Sequence, residues 1–162
     1  MEQMDKKFSE DLMEANRSWQ SAEHIINVVM PVVKDEKLLL RSLEILYKGS
    51  VKIISTILKY EFIFKRVELK AEAARNLDIF FRKCTARYEL SEEDCHKLRD
   101  LIKLGKKHKE SGFEFSRTGK MIIMGDDLST YEVNKHTIDA FIHVLRKLTT
   151  NARTVITKEN SI

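Results

Sequence analysis

Side chains able to do chemistry are present in this chain, but few stand at the spacings that chemistry requires. A structural zinc site takes four thiolates or imidazoles, usually as close pairs. Cys84, Cys95 and His96 lack that pairing, and His136 and His143 lie seven residues apart. These histidines are read as structural or surface residues and Cys84 as a small core residue, so neither a metal nor a cofactor is expected. No glycine-rich phosphate loop, Gly-x-Ser-x-Gly elbow, His-Glu-x-x-His helix or Gly-x-Gly-x-x-Gly fingerprint occurs, and the five glycines are scattered. The carboxylate pairs Glu92-Glu93 and Asp126-Asp127 sit in a helix cap and a turn, which explains them without catalysis.

The constellation that remains is cationic. Arg99, Lys103, Lys106 and Lys107 share one arc of a helix, turned away from Leu98, Ile102 and Gly105, and Arg117 and Lys120 come next in a hairpin turn. Asp100 and Glu110 share nearly the same arc. A ridge of this kind suits nucleic-acid phosphates, with little sequence preference and steep salt dependence. No aromatic interleaves with these lysines, because Phe113 and Phe115 are expected to pack the hairpin onto the bundle. Backbone contact without base stacking is the expectation.

Arg17 and His24 stand seven positions apart on the first helix. The pair resembles the short Arg-to-His motif of the HEPN superfamily, helical bundles that include metal-independent ribonucleases acting at a dimer interface. That resemblance implies Arg17 and His24 as catalytic residues. The superfamily carries its motif on a late helix, however, and here the two side chains lie about 10.5 Å apart on an outer face. Trp19, Ala22 and His24, the long apolar second helix, the segment from His108 to Arg117 and the terminal helix together are similar to short uncharacterised archaeal helical-bundle proteins. That likeness implies an architecture and no activity.

The elements that must position these residues are read from periodicity. Phe8, Leu12, Ala15, Trp19, Ala22, Ile26, Val29 and Val33 recur at spacings of three and four, a heptad seam that places Trp19 in the core and offers a surface for a homodimer through the first helix. Pro31 ends or kinks that helix near Met30, and Asp35 caps the next. The second helix runs through Leu39, Leu43, Leu46, Ser50, Ile53, Ile57, Tyr60, Phe64 and Val67, with a parallel stripe of Leu40, Tyr47 and Ile54. So broad a face makes it central, with Gly49 and Ser50 admitting a neighbour. A break between Lys65 and Lys70 precedes a third helix over 71–88. Ser91 to Asp94 caps a fourth, which ends near Gly112 as its left-handed residue. Alternation over 113–116 and 121–124 gives a β-hairpin turning at Thr118-Gly119, 130–133 can add a third strand, and Asn134 caps the last helix.

Composition agrees with that reading. The chain has 162 residues, a hydrophobic share of 43%, a charged share of 33% and one proline, the profile of one helical domain with its own core. The net charge of +4 is uneven: residues 1–36 hold four basic and eight acidic side chains, and residues 37–87 hold twelve and five. Two cysteines make no disulfide framework, no signal segment or run of eighteen apolar residues occurs, and a cytoplasmic setting without membrane contact is expected. The fold expected is mainly α, a five-helix bundle over residues 1–157 with a small β-hairpin before the last helix and a loose tail over 158–162. The function expected is a non-enzymatic interaction module, a subunit or accessory factor of a larger assembly, with RNA or a ribonucleoprotein and a protein as its candidate partners. A HEPN-like ribonuclease or a protein-binding adaptor are the alternatives.

Overall fold

The computed structural model describes residues 2–160. Helix α1 (residues 2–33) leads to α2 (Lys37–Ile63), α3 (residues 73–84) and α4 (Glu92–Glu110). Strands β1 (Phe113–Arg117), β2 (Lys120–Met124) and β3 (Thr130–Asn134) then form one antiparallel sheet in that order, before α5 (Lys135–Asn160). The fold is mainly α as expected, and the third strand is formed. α5 continues through Asn160, so residues 158–160 are helical rather than tail; residues 161 and 162 lie outside the described ones.

α1 is α-helical to His24, opens into a π-helical turn over Ile25–Val29 and closes with Met30–Val33. Pro31 supplies the reason, since its ring has no N–H and crowds the carbonyl four residues back, and a widened turn just upstream relieves the contact. The extra residue rotates the final turn of the helix. Phe8, Leu12, Ala15, Ala22 and Ile26 are buried, Val29 is half-buried and Val33 is 58% exposed, so the seam stops at Ile26. Trp19 is also only half-buried. A Cβ built on Gly49 would fall 2.5 Å from the Ser18 Cβ, so α1 and α2 run too close there for an indole between them. The ring lies to one side, donating to Asn16 Oδ1 at 2.8 Å with the Arg146 guanidinium 5.0 Å above it.

α2 is the central helix. It packs against α1, α4, α5 and the two strands β2 and β3, burying Leu39, Leu43, Leu46, Ile53, Ile57 and Tyr60. Asp35 Oδ1 accepts from the Lys37 amide at 3.0 Å. The helix ends at Ile63, earlier than its period suggests, and Phe64 is therefore exposed rather than buried. In the sheet, Gly119 supplies the positive φ of 73° in the two-residue turn. Register aligns Met121 with Val133 and Ile123 with Tyr131; these alternate residues face the helices. Phe113, Phe115 and Arg117 occupy the opposite, outward face, and Phe113 is 58% exposed, which corrects the expectation that it packs the hairpin down.

α4 begins as expected. Ser91 Oγ accepts from the Asp94 amide at 3.1 Å while Asp94 Oδ2 accepts from the Ser91 amide at 3.0 Å, a capping box. It ends one step early: Ser111 takes the extended backbone and its hydroxyl bonds the carbonyls of Phe113 and Met124, so Gly112 has no left-handed role. Asn134 Oδ1 accepts from the Thr137 amide at 2.8 Å and caps α5.

Two substitutions test this packing. A Cβ on Gly105 would overlap the Tyr47 ring, and a ring cannot yield as a flexible chain end does. Gly105→Ala should cost about 1–3 kcal/mol by overpacking, read as a lower denaturation midpoint at unchanged slope. Burial alone pushes the Asp94 carboxyl up, but the bonds from Lys147 and Ser91 outweigh it and hold the group below the usual carboxylate range. Its contribution is thus complete above the ordinary carboxylate pKa and is lost as pH falls through the lowered folded value. Asp94→Ala should cost about 1–2 kcal/mol at neutral pH, and denaturation curves recorded at successively more acid pH should show that gap closing.

Candidate nucleic-acid interface

The capping box and a bond from Lys147 Nζ to Asp94 Oδ2 at 2.5 Å fasten the start of α4 to α5. The buried Leu98, Leu101, Ile102 and Gly105 then fix which way the helix turns, and the cations are left outside. Arg99 lies over the Phe81 ring at 3.9 Å. Lys103 and Lys107 lie 5.4 and 5.7 Å from the Tyr131 ring. Lys106, between them, is exposed. Among the described residues none of the four forms an ion pair with a carboxylate. Cations laid on aromatic faces keep their outer N–H groups available.

The six cations singled out in the sequence are only partly brought together. Lys103 and Lys107 share Tyr131, whereas Arg99 leans to the opposite flank of α4. Lys120 bonds Glu132 at 2.8 Å, and Arg117 lies over Phe115 on the outer sheet face. A groove of about 500 Å³ runs between α4, β3 and α5, lined by Lys97, Asp100, Lys103, Tyr131, Glu132 and Thr137 among others. Lys107 also faces the turn at Asp127, whose carboxyl is held below the usual range by bonds from Ser129 and, less strongly, by Lys107. Tyr131 is the residue that sequence reasoning missed, and with it an aromatic does stand among the lysines. Its signal was alternation with Val133, which places both on the helix-facing side.

Arg17 and His24 are exposed on α1 and make no side-chain hydrogen bond or ion pair among the described residues. The α1 seam is covered by α2 and α5 within one molecule, so the apolar surface that suggested self-pairing is already occupied. His136 and His143 are exposed, and Asp139, which stands between them on the same helix, pairs with Lys135 at 3.8 Å. Among the described residues no three His, Cys, Asp or Glu side chains gather as a metal site would require.

A second polar cluster was not legible in the sequence. Glu61, 2% exposed, accepts from Arg66 Nε at 2.5 Å and from the Tyr88 hydroxyl at 2.8 Å. Glu159 accepts from Tyr60, from Arg66 at 3.1 Å and from Arg87 at 3.5 Å. Burial first, then donation to Glu61, pushes the Tyr88 hydroxyl far above its ordinary pKa. Donors from the loop after α2 and from beyond α3 converge on these two carboxylates, so the cluster fastens elements together.

No family model, curated protein or solved structure matches this chain. No helix among the described residues is long and apolar enough to cross a membrane.

The remaining nucleophile candidates are thiols. Burial, followed by the nearby Glu61, pushes the Cys84 thiol up to about 11, so the reactive thiolate is scarce at neutral pH. A thiol-specific reagent near pH 7 should modify half-buried Cys95 first, with Cys84 reacting only as the chain unfolds. Mass spectrometry of the labelled peptides reads the order, and early labelling of Cys84 would contradict its burial.

Proposed function

We propose that the chain is a non-enzymatic interaction module, a cytoplasmic subunit or accessory factor of an RNA-containing assembly, and that the outer face of α4 meets RNA phosphates. One observation carries this reading. Four cations between Arg99 and Lys107 stand on the outside of α4 without ion-pair partners among the described residues, Lys103 and Lys107 held against Tyr131 and Arg99 against Phe81 on the other flank. On the central helix, by comparison, Arg41 and Lys48 both pair with Glu44. Unpaired cations held by rings are pre-positioned for oxygen anions, and their contact with phosphate reads charge and spacing rather than base identity. Asp100 in the adjoining groove and Asp127 beside Lys107 limit the face to a narrow strip along the helix.

Affinity for a structured RNA should therefore fall steeply with salt. Four neutralised phosphates correspond to a log–log slope of about −3.6 on a duplex. Lys103→Glu with Lys106→Glu should weaken all RNAs alike and flatten the slope by about two. The fold should survive, since both side chains point to solvent. Filter binding across about 50 to 200 mM salt measures this; affinity that is absent at the low end, or unmoved by the double reversal, would remove RNA from the reading. The RNA should be recovered intact, whereas cleavage abolished by His24→Ala would replace the module with a HEPN-like ribonuclease.

A further inference from the structure

At the end of α2, Phe62, Ile63 and Phe64 are consecutive in sequence and are 52%, 39% and 46% exposed. Phe64 is partly anchored, its ring centroid 4.8 Å from that of Tyr60 and beneath the Arg66 guanidinium at 4.9 Å. Among the described residues Phe62 and Ile63 form no aromatic contact and belong to no part of the core. Lys65 then adopts a left-handed φ of 60°, and the apolar run stops where the helix does. Exposed Lys59 stands one turn before it. Beside the helix end is a depression of about 290 Å³ whose lining includes Lys65, Arg66, Lys70, Arg82 and Lys83, with Glu68 as the one carboxylate among its lining residues. Arg66 is committed inward to Glu61 and Glu159, Lys70 pairs with Glu68 and Arg82 with Asp78. Lys59, Lys65 and Lys83 form no ion pair among the described residues.

We infer that this end of the molecule is a peripheral contact site for an anionic lipid surface, with Phe62 and Ile63 entering its apolar edge and Lys65 and Lys83 meeting headgroup phosphates. Consecutive helical residues point about 100° apart, so Phe62 and Ile63 diverge at the helix end while Phe64 stays against Tyr60 and Arg66. A fluid apolar layer takes up two diverging side chains without needing a pocket matched to either. The cationic rim matches the anionic headgroup layer that surrounds such an insertion. RNA would satisfy the lysines and leave Phe62 and Ile63 in water. No spanning helix is needed, because contact is made from one side. The site is separate from the α4 face, and its success or failure is independent of the reading given to that face.

Cosedimentation with phosphatidylcholine vesicles containing about one third phosphatidylserine, at about 100 mM salt to screen long-range attraction, tests the site. The protein should pellet with these vesicles and stay in solution with phosphatidylcholine alone. Phe62→Ser with Ile63→Ser, and separately Lys65→Glu with Lys83→Glu, should each weaken partitioning roughly tenfold or more at unchanged melting temperature. Lys103→Glu with Lys106→Glu should leave it unchanged. The inference is overturned by failure to bind anionic vesicles, or by binding that survives the apolar double substitution, which would reduce it to charge attraction alone. It is equally overturned if the Lys65 and Lys83 reversals abolish RNA affinity while vesicles are never bound, which would make the depression a polyanion site.

Discussion

The structure depends on the width of the apolar surface of α2. Leu39, Leu43, Leu46, Ile53, Ile57 and Tyr60 are buried along one line, and Leu40, Ile54 and Leu58 along another. A single packing partner covers little more than a stripe about 100° wide, so one neighbour cannot keep this helix dry. α1, α4, α5 and the sheet are all recruited to it, and between its two exposed ends a narrow line through Arg41, Lys48, Val51 and Lys59 meets water. Crowding so many elements around one axis demands small residues at the closest approaches, which Ala15, Ala22, Gly49 and Gly105 provide. With the inner faces committed, the outer face of each surrounding helix decides how it meets other molecules.

Those outer faces carry two kinds of cation. Arg66, Arg87 and Lys147 reach across elements to carboxylates that are themselves largely buried, and they hold the bundle's parts in register. Arg99, Lys103 and Lys107 lie on rings instead. The first kind loses its donors to internal acceptors. The second has its chain ordered while its charge stays available, which lowers the entropy lost when an anion arrives. The distinction is invisible in composition, because the residue types are the same and only their neighbours differ.

Periodicity conveyed the five helices, the order of elements and the caps at Ser91 and Asn134, because each of those depends on residues within a few positions of one another. Misplaced residues depend either on a break in a helix that its period does not announce or on something farther away. Trp19 fits the spacing of the seam, but the close approach of Gly49 to Ser18 leaves no room for it. Val33 continues the period until the π-helical turn beside Pro31 shifts the face, and Phe64 lies one residue past the end of its helix. Phe113 and Tyr131 both alternate correctly, yet which face of a strand meets the bundle is decided by strand pairing and by helices distant in sequence. The α4 cations were legible as a helical arc, whereas their aromatic supports, Phe81 and Tyr131, come from elements before and after it. The Glu61 cluster joins residues as far as 99 positions apart, and no local pattern announces it.

That long separation also orders events during synthesis. α1 and α2 emerge ahead of the other elements of the bundle and can pair as a hairpin while those are still being made. Tyr60 and Arg66 leave the ribosome about a hundred residues ahead of Glu159, an interval of roughly 5–20 s at ordinary elongation rates. Through that interval half of the cluster lacks its acceptor, and the end of α2 stays open to water and to other molecules. Closure at that end waits for the final turn of α5, so a segment made about a hundred residues later completes the bundle around the end of α2.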